Sequence, residues 1–357
     1  MPAQLLQGCD AITEAAVSAG MRFFAGYPML PFTGLLESVA KRMPQVGGVC
    51  MNAASEIEAA NMALGAAAAG ARAGTGSCGQ GIALMQETIA EGALNQVPFV
   101  VFNMARGQQD YFQSTRGGGW GDYRTITLAP KDAAEAADHT QLLFHLSDKY
   151  RSPVILYGDY LIADTNMSVE VSPRDFGPLP PKDWVLDPSR GGTGRTRVIW
   201  TWDIGKMNNP GLKPDKHWRM LAEKFDHIGR TEARHESYLV DDADYVVVSW
   251  GTSGPFVDYV VDELRADGVR IGSFRPITLW PFPEEALAAA TERCKRVLVY
   301  ELNAGQMFDD VRLSVTDRKK IHFIGGVSVD YSGMRQGPLL DVSPIRERIL
   351  ESIEQGA

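Results

Sequence analysis

Residues 54–89 read ASEIEAANMALGAAAAGARAGTGSCGQGIALMQETI. The stretch divides into an Ala-rich helix pattern over 55–70, a short strand RAGTGSC (72–78), and a second helix pattern over 79–96 opened by glycines. Ser55 stands where an N-cap belongs. The run that follows, PFVVFNMA (98–105), is apolar almost throughout, as in a strand buried on both faces of a parallel sheet. Helix, strand, helix and strand at this spacing specify a parallel α/β layer.

The same alternation extends outward from this stretch. Upstream, ITEAAVSAG (12–20) reads as helix, MRFFAGYP (21–28) as strand and turn, LPFTGLLESVAKRM (30–43) as amphipathic helix, and VGGVCMN (46–52) as strand. Downstream come a Gly-rich loop, QQDYFQSTRGGGWGDYR (108–124), then TITLAP (125–130), the helix DAAEAADHTQLLFHLSDKY (132–150) and the strand PVILYG (153–158). This predicts a doubly wound sheet, which binds ligands at the carboxyl ends of its strands. Here those ends fall near 27–28, 52–56, 77–81 and 105–107. From 172 to 197 the chain is rich in Pro, Gly and charge, and 220–238 is polar without a clear period, so both read as an irregular connector. Alternation returns at DYVVVSWG (244–251) and runs to KIHFIGG (320–326), a second and smaller α/β unit. The expected fold class is therefore α/β, with two doubly wound domains.

Composition restricts the function. The 357 residues are 45% hydrophobic and 22% charged, and 35 Lys and Arg against 44 Asp and Glu leave a net charge of −9. A nucleic acid or an anionic membrane surface needs a basic footprint, so neither is an expected partner. No apolar run reaches the roughly 18–20 residues of a membrane span. The opening MPAQLLQGCDAITEAA has no secretory character, and a soluble cytoplasmic protein is expected. Cys9, Cys50, Cys78 and Cys294 are dispersed with no C-x-x-C pair, so reduced thiols are expected and no metal site or cluster on this chain.

Three features can carry chemistry. Gly74-Thr75-Gly76-Ser77-Cys78-Gly79 matches G-x-G-x-x-G between a strand and a helix, the setting of a dinucleotide site. The acidic residue expected after the next strand is missing, and a tight strand–helix turn is the more frequent explanation of such a motif. Glu56 opens a helix at the ligand edge of the sheet, either as a carboxylate favoured by the helix dipole, worth about 0.5 kcal/mol, or as a ligand-binding acid. Arg106 follows a doubly buried strand, either as a strand-end surface residue or as a bidentate receptor for a carboxylate. The six histidines show no ligand spacing, and Walker, H-E-x-x-H and G-x-S-x-G motifs are absent from the sequence.

Together these segments resemble the 2-oxoacid:ferredoxin oxidoreductases. GYPMLPFT (26–33) resembles that family's Y-P-I-T-P-S segment, and 54–89 resembles its E-x-x-A run ending in G-x-G-x-x-L-M. GDYRTITLAP (121–130), DADYVVVSWGTS (242–253), FRPITLWPFP (274–283) and ELNAGQMFDDVRL (301–313) are similar to the α chain of the 2-oxoisovalerate, or branched-chain, type. The likeness covers nearly all of the chain outside 165–240.

The resemblance implies the α subunit of a thiamine diphosphate enzyme. Its parts would be a pyrimidine-binding domain (1–165), an irregular connector (166–240) and a transketolase C-terminal-like domain (241–357). Glu56 matches the glutamate that hydrogen-bonds N1′ of the aminopyrimidine and so promotes deprotonation of the thiazolium. Arg106 matches the arginine that holds the carboxylate of the 2-oxo acid. Tyr27 and Pro28 match the turn lining the aminopyrimidine pocket, with Ser77 and Gly79 in its backbone. The family's G-D-G diphosphate motif has only Gly158-Asp159-Tyr160 as a counterpart, without the second glycine. Diphosphate and Mg²⁺ are therefore expected on a partner β subunit, and iron–sulfur (4Fe-4S) clusters on γ and ferredoxin-like δ subunits. Coenzyme A is the expected co-substrate, and ferredoxin or another acceptor takes the electrons.

Two positions depart from the family pattern. Leu30 replaces a threonine that helps bind substrate, and Phe32 stands where a small polar residue is usual. Loss of a hydroxyl and gain of apolar bulk point to a branched-chain or aryl 2-oxo acid, of 2-oxoisovalerate, phenylglyoxylate or indolepyruvate type. Tyr111, Phe112 and Trp120 either extend that apolar pocket or only pack their loop. A non-catalytic partner of such a complex, or an NADP-dependent reductase built on the GTGSCG turn, are the competing readings.

Overall fold

The structure is a computed structural model that describes residues 3–187, 189, 192, 214–326 and 341–355. The first α/β unit is built on strands β2 (Phe23–Gly26), β3 (Val49–Asn52), β4 (Ala73–Ser77), β5 (Val100–Ala105), β6 (Ile126–Leu128) and β7 (Val154–Asp159). They form a parallel sheet in the order β6-β7-β5-β4-β2-β3. Helices α1 (Gly8–Ser18), α2 (Phe32–Arg42) and α6 (Ala133–Tyr150) cover one face, and α3 (Glu56–Ala68) and α4 (Gln80–Asn95) the other. Strand periodicity does the sorting: Val100, Phe102 and Met104 of β5 enter the core under α1, α2 and α6, while Val101 enters the core under α3 and α4. The small residues Ala59, Ala60, Ala63 and Ala67 bring α3 close to the sheet.

The second unit is a sheet ordered β14 (Ile321–Phe323), β13 (Arg296–Val299), β10 (Tyr245–Val248), β11 (Ile271–Pro276) and β9 (His235–Tyr238). Only β9 runs antiparallel. The apolar VVV of β10 is again split by period two. Val246 and Val248 face α10 (Glu284–Thr291) and α11 (Gln306–Ser314), and Val247 faces α9 (Ser253–Ala266) and α12 (Val342–Glu354).

Two expectations need correction. The connector is not irregular throughout: it holds β8 (Asn166–Val169), which pairs with β1 (Gln4–Gln7), helix α8 (Pro214–Thr231), and β9 of the second sheet. Leu221 and Ile228 of α8 are buried, with Trp218 and Phe225 half-buried beside them. That i, i+3, i+7, i+10 stripe pins α8 to the first unit. The Gly-rich loop likewise contains a short helix, α5 (Tyr111–Thr115). The two units are also laced together, because β12 (Thr278–Trp280) leaves the second unit and adds antiparallel to β6 at the edge of the first sheet. No described helix is long and apolar enough to cross a membrane.

Candidate active site

Four strand ends converge on one edge of the first sheet. Gly26 pairs with both Asn52 and Gly76, and Ser77 pairs with Asn103. At or just beyond these ends lie Tyr27 and Pro28 (after β2), Glu56 (after β3), Ser77 at the end of β4 with Cys78 and Gly79 after it, and Arg106 (after β5), so the fold gathers these residues at one edge.

Helix α3 begins with its cap satisfied elsewhere. Ser55 Oγ accepts the Glu58 N–H at 3.2 Å, and Glu58 Oε2 accepts the Ala54 N–H at 3.0 Å. A Ser cap of this kind is worth about 1 kcal/mol. With Glu58 spent on the cap, Glu56 is left for other work. It is 4% exposed, and Oε1 lies 3.5 Å from the Ser77 hydroxyl, which donates to it. Gly81 in α4 faces this pair: a Cβ there would collide with Ser77 Oγ and stand 2.6 Å from Glu56 Oε1. Gly81 is the second glycine of the G-x-G-x-x-L-M run, but that run does not say which side chains it faces.

Arg106 donates from Nε to the Leu30 carbonyl and from Nη1 to Gln80 Oε1, both at 3.2 Å. It makes no ion pair among the described residues, so its charge is available to an incoming anion. The Leu30 carbonyl also accepts the Cys78 thiol at 3.2 Å. Burial pushes that thiol up to about 11, with Arg106 opposing, which keeps Cys78 protonated at neutral pH and unsuited to nucleophilic work.

The apolar residues singled out from the sequence are not placed alike. The Leu30 side chain is exposed at the rim, but Phe32 is 0% exposed. Its ring stacks on Phe24 and fills the space against Gly26 and Gly76, so it supports the β2–α2 turn from below and presents no surface to a ligand. Tyr111 is also fully buried: its hydroxyl donates to Asp310 Oδ2 at 2.6 Å and its ring lies on Trp250. Trp120 packs edge-on against Trp218 of α8. These two rings pack their loop against its neighbours.

Asp159 of the Gly-Asp-Tyr segment is spent internally. One oxygen accepts the Leu161 and Ile162 N–H groups at the start of α7 (Tyr160–Asp164), and the other accepts the Thr252 hydroxyl. Among the described residues no group of three His, Cys, Asp or Glu is arranged to hold a metal. His139 is buried and pushed down to about 4 by that burial, which makes it a neutral packing residue. The GTGSCG turn opens α4 with Gly79 at φ +51°, and the Gly79 N–H is taken by Asp110 Oδ2 at 2.8 Å. Sequence reasoning misses Asp110, because nothing within the local loop marks it.

Residues 14–183 match the family described as pyruvate flavodoxin/ferredoxin oxidoreductase, thiamine diphosphate-binding, and 243–334 match the pyruvate:ferredoxin oxidoreductase core domain II. The ketoisovalerate oxidoreductase subunit VorB of Methanothermobacter marburgensis is 33% identical over 338 residues, covering 91% of this chain and 94% of its own. The 2-oxoglutarate synthase subunit KorA of Methanothermobacter thermautotrophicus is 35% identical, covering 86% and 89%. Among solved structures, the 2-oxoglutarate:ferredoxin oxidoreductase of Magnetococcus marinus, described with 2-oxoglutarate, coenzyme A and succinyl-CoA bound, superposes with a TM-score of 0.84 at 24% identity. The match covers 99% of this chain and 65% of that one, a likeness of fold.

Proposed function

This chain belongs to the 2-oxoacid:ferredoxin oxidoreductases, and we propose that it is the α subunit of a thiamine diphosphate-dependent complex acting on a branched-chain or aryl 2-oxo acid. The relatives carry ketoisovalerate, 2-oxoglutarate and pyruvate names, so the choice rests on the site. Arg106 is one cation for one carboxylate, and the residue beside it at the rim is Leu30, an exposed apolar side chain. A dicarboxylate needs a second cation that this edge does not offer from its own strand ends.

The observation that carries the reading is Glu56. A buried carboxylate at a strand end, held against Ser77 where a side chain at Gly81 would collide with both, fits the protonated ring nitrogen of an aminopyrimidine. Thiamine diphosphate, when bound, supplies the carbon nucleophile that attacks the keto group and the electron sink that accepts the pair left as CO₂ departs. Glu56 would hold a proton between its carboxylate and N1′ of that ring, and Ser77 would fix the carboxylate's orientation. Tyr27, Pro28 and Gly79 would line the pocket for the ring at the ends of β2 and β4. Arg106 would bind the substrate carboxylate and orient the keto carbon.

The diphosphate and Mg²⁺ would be held by a β subunit, and the electrons would pass to 4Fe-4S clusters on γ and δ subunits and then to ferredoxin or another acceptor. Coenzyme A would take the acyl group, a reading supported by the Magnetococcus enzyme, which is described with coenzyme A and succinyl-CoA bound. The complex would work in the cytoplasm, consistent with free thiols at Cys9, Cys50, Cys78 and Cys294. The test is Glu56→Ala in the co-expressed complex. Assembly is expected to be normal and 2-oxo-acid-dependent viologen reduction to fall by about 10²-fold or more, within the range of a lost proton-transfer group. Wild-type turnover in Glu56→Ala would sink the assignment.

A further inference from the structure

The strap from Arg106 to Asp110 joins β5 to α5, and its polar groups are committed. Gln108 is 1% exposed. Its side-chain amide donates to the Trp250 carbonyl at 2.9 Å, its side-chain oxygen accepts the Leu302 N–H at 2.7 Å, and its backbone carbonyl accepts Asn303 Nδ2 at 2.8 Å. The Tyr157 hydroxyl closes the strap, donating to the Gly107 carbonyl at 2.9 Å and accepting the Asp110 N–H at 3.1 Å. The second unit thus grips the strap at Gln108, and the first sheet grips it at Tyr157.

Held in this way, the Asp110 side chain turns back to the β4–α4 turn. It is 7% exposed, and Oδ2 accepts the Gly79 N–H at 2.8 Å. Helix α4 is 16 residues long, and the free N–H groups at its start favour an anion. The peptide that Asp110 anchors leads directly into Gln80, whose Oε1 accepts Arg106 Nη1 at 3.2 Å. A chain of contacts therefore runs from Trp250 and Leu302 through Gln108, Asp110, Gly79 and Gln80 to the Arg106 guanidinium.

We infer that Asp110 is a positioning residue for carboxylate recognition: it occupies the start of α4 with the protein's own carboxylate, fixes Gly79 and Gln80, and so aims Arg106 at the substrate. The inference rests on the reading of Arg106 given under Proposed function. With the helix end filled from within, the carboxylate of a 2-oxo acid is directed to Arg106. Burial raises the Asp110 carboxyl, while the Gly79 N–H, the Asn103 amide and the Arg106 charge oppose that rise, and the geometry uses the group as an acceptor.

The test uses the assembled complex with 2-oxoisovalerate as substrate and separates KM from kcat. Asp110→Ala orphans the Gly79 N–H and is expected to raise KM about tenfold with kcat within about threefold. Added formate, a small carboxylate that refills the helix end, is expected to bring KM back. Asp110→Asn keeps an acceptor for Gly79 and is expected to hold KM within about threefold. Gln80→Leu, at an exposed position, removes the last contact of the relay and is expected to raise KM several-fold even if Asp110→Ala fails to assemble. Equal loss in kcat and KM with no response to formate, or an unchanged KM in Gln80→Leu, overturns the inference. Arg106→Met separates the two readings. A raised KM there beside an unchanged KM in Asp110→Ala overturns the inference alone, whereas an unchanged KM in Arg106→Met overturns the reading of Arg106 and the inference with it.

Discussion

Leu30 acts at this site through two different groups. Its carbonyl holds the Cys78 thiol and Arg106 Nε, both at 3.2 Å, while its side chain, 70% exposed, touches the rim alone. The side chain can therefore change without moving the arginine, which makes it a clean probe of specificity. Apolar pocket groups discriminate weakly, by about 1–3 kcal/mol per methylene. Leu30→Thr is accordingly expected to lower the preference for 2-oxoisovalerate or phenylglyoxylate over pyruvate by about tenfold, read as the ratio of kcat/KM values. An unchanged ratio would remove Leu30 from the specificity argument. Phe32 is not offered for the same test, since at 0% exposure its loss would open a cavity beneath Gly26 and Gly76.

At the scale of elements, β12 on β6 and Arg275 of β11 join the two units beside the contacts of Gln108, Tyr111 and Asp159. Arg275 is 4% exposed and makes two bonds to Glu135 of α6, at 2.7 and 3.1 Å, with a further pair to Glu236 Oε2 of β9. Breaking a buried pair leaves charge without compensation and costs about 3–5 kcal/mol, against less than about 1 kcal/mol for an exposed pair. Glu236 is half-exposed and keeps Lys131, so the lower end of that range applies. Arg275→Met is expected to destabilise the chain by about 3 kcal/mol in urea unfolding, with Lys131→Met costing less than about 1 kcal/mol. Equal effects would remove Arg275 from the join. This join marks the limit of what local sequence shows. Apolar runs such as the VVFNMA of β5 and the VVV of β10 are legible because each strand carries its own pattern of burial. Helix α8 is legible in principle, through the Trp218, Leu221, Phe225 and Ile228 stripe, but the Pro- and Gly-rich stretch before it masks the period. The pairing of β12 with β6 and the grip of Asp110 on Gly79 join residues distant in sequence, and no local pattern encodes them. Glu56 and Arg106 are legible because strand ends are predictable, and Gly81 is not, because its role depends on two side chains from other elements.

For the whole molecule, the decisive feature is that the site opens outward. Tyr27, Leu30 and Ile57 stand exposed at this edge, and the edge strand β3 carries exposed Val49 and Met51. An open edge with apolar side chains is a surface that proteins normally cover. Asp159, the one acid in the Gly-Asp-Tyr segment, is already spent on α7 and Thr252, so a diphosphate–metal group finds no carboxylate waiting there. Under the proposed function the chain would bring an acid for the ring and a guanidinium for the substrate, and its open edge would take a second subunit to complete both. The isolated chain is expected to show no 2-oxo-acid-dependent viologen reduction at any thiamine diphosphate and Mg²⁺ concentration, and addition of its partner subunits is expected to restore it. Native mass measurement of the purified assembly, with iron analysis, should find this chain together with iron-bearing subunits. Turnover by the isolated chain at the rate of the complex would show that the open edge is complete as it stands, and the two-subunit site would have to be abandoned.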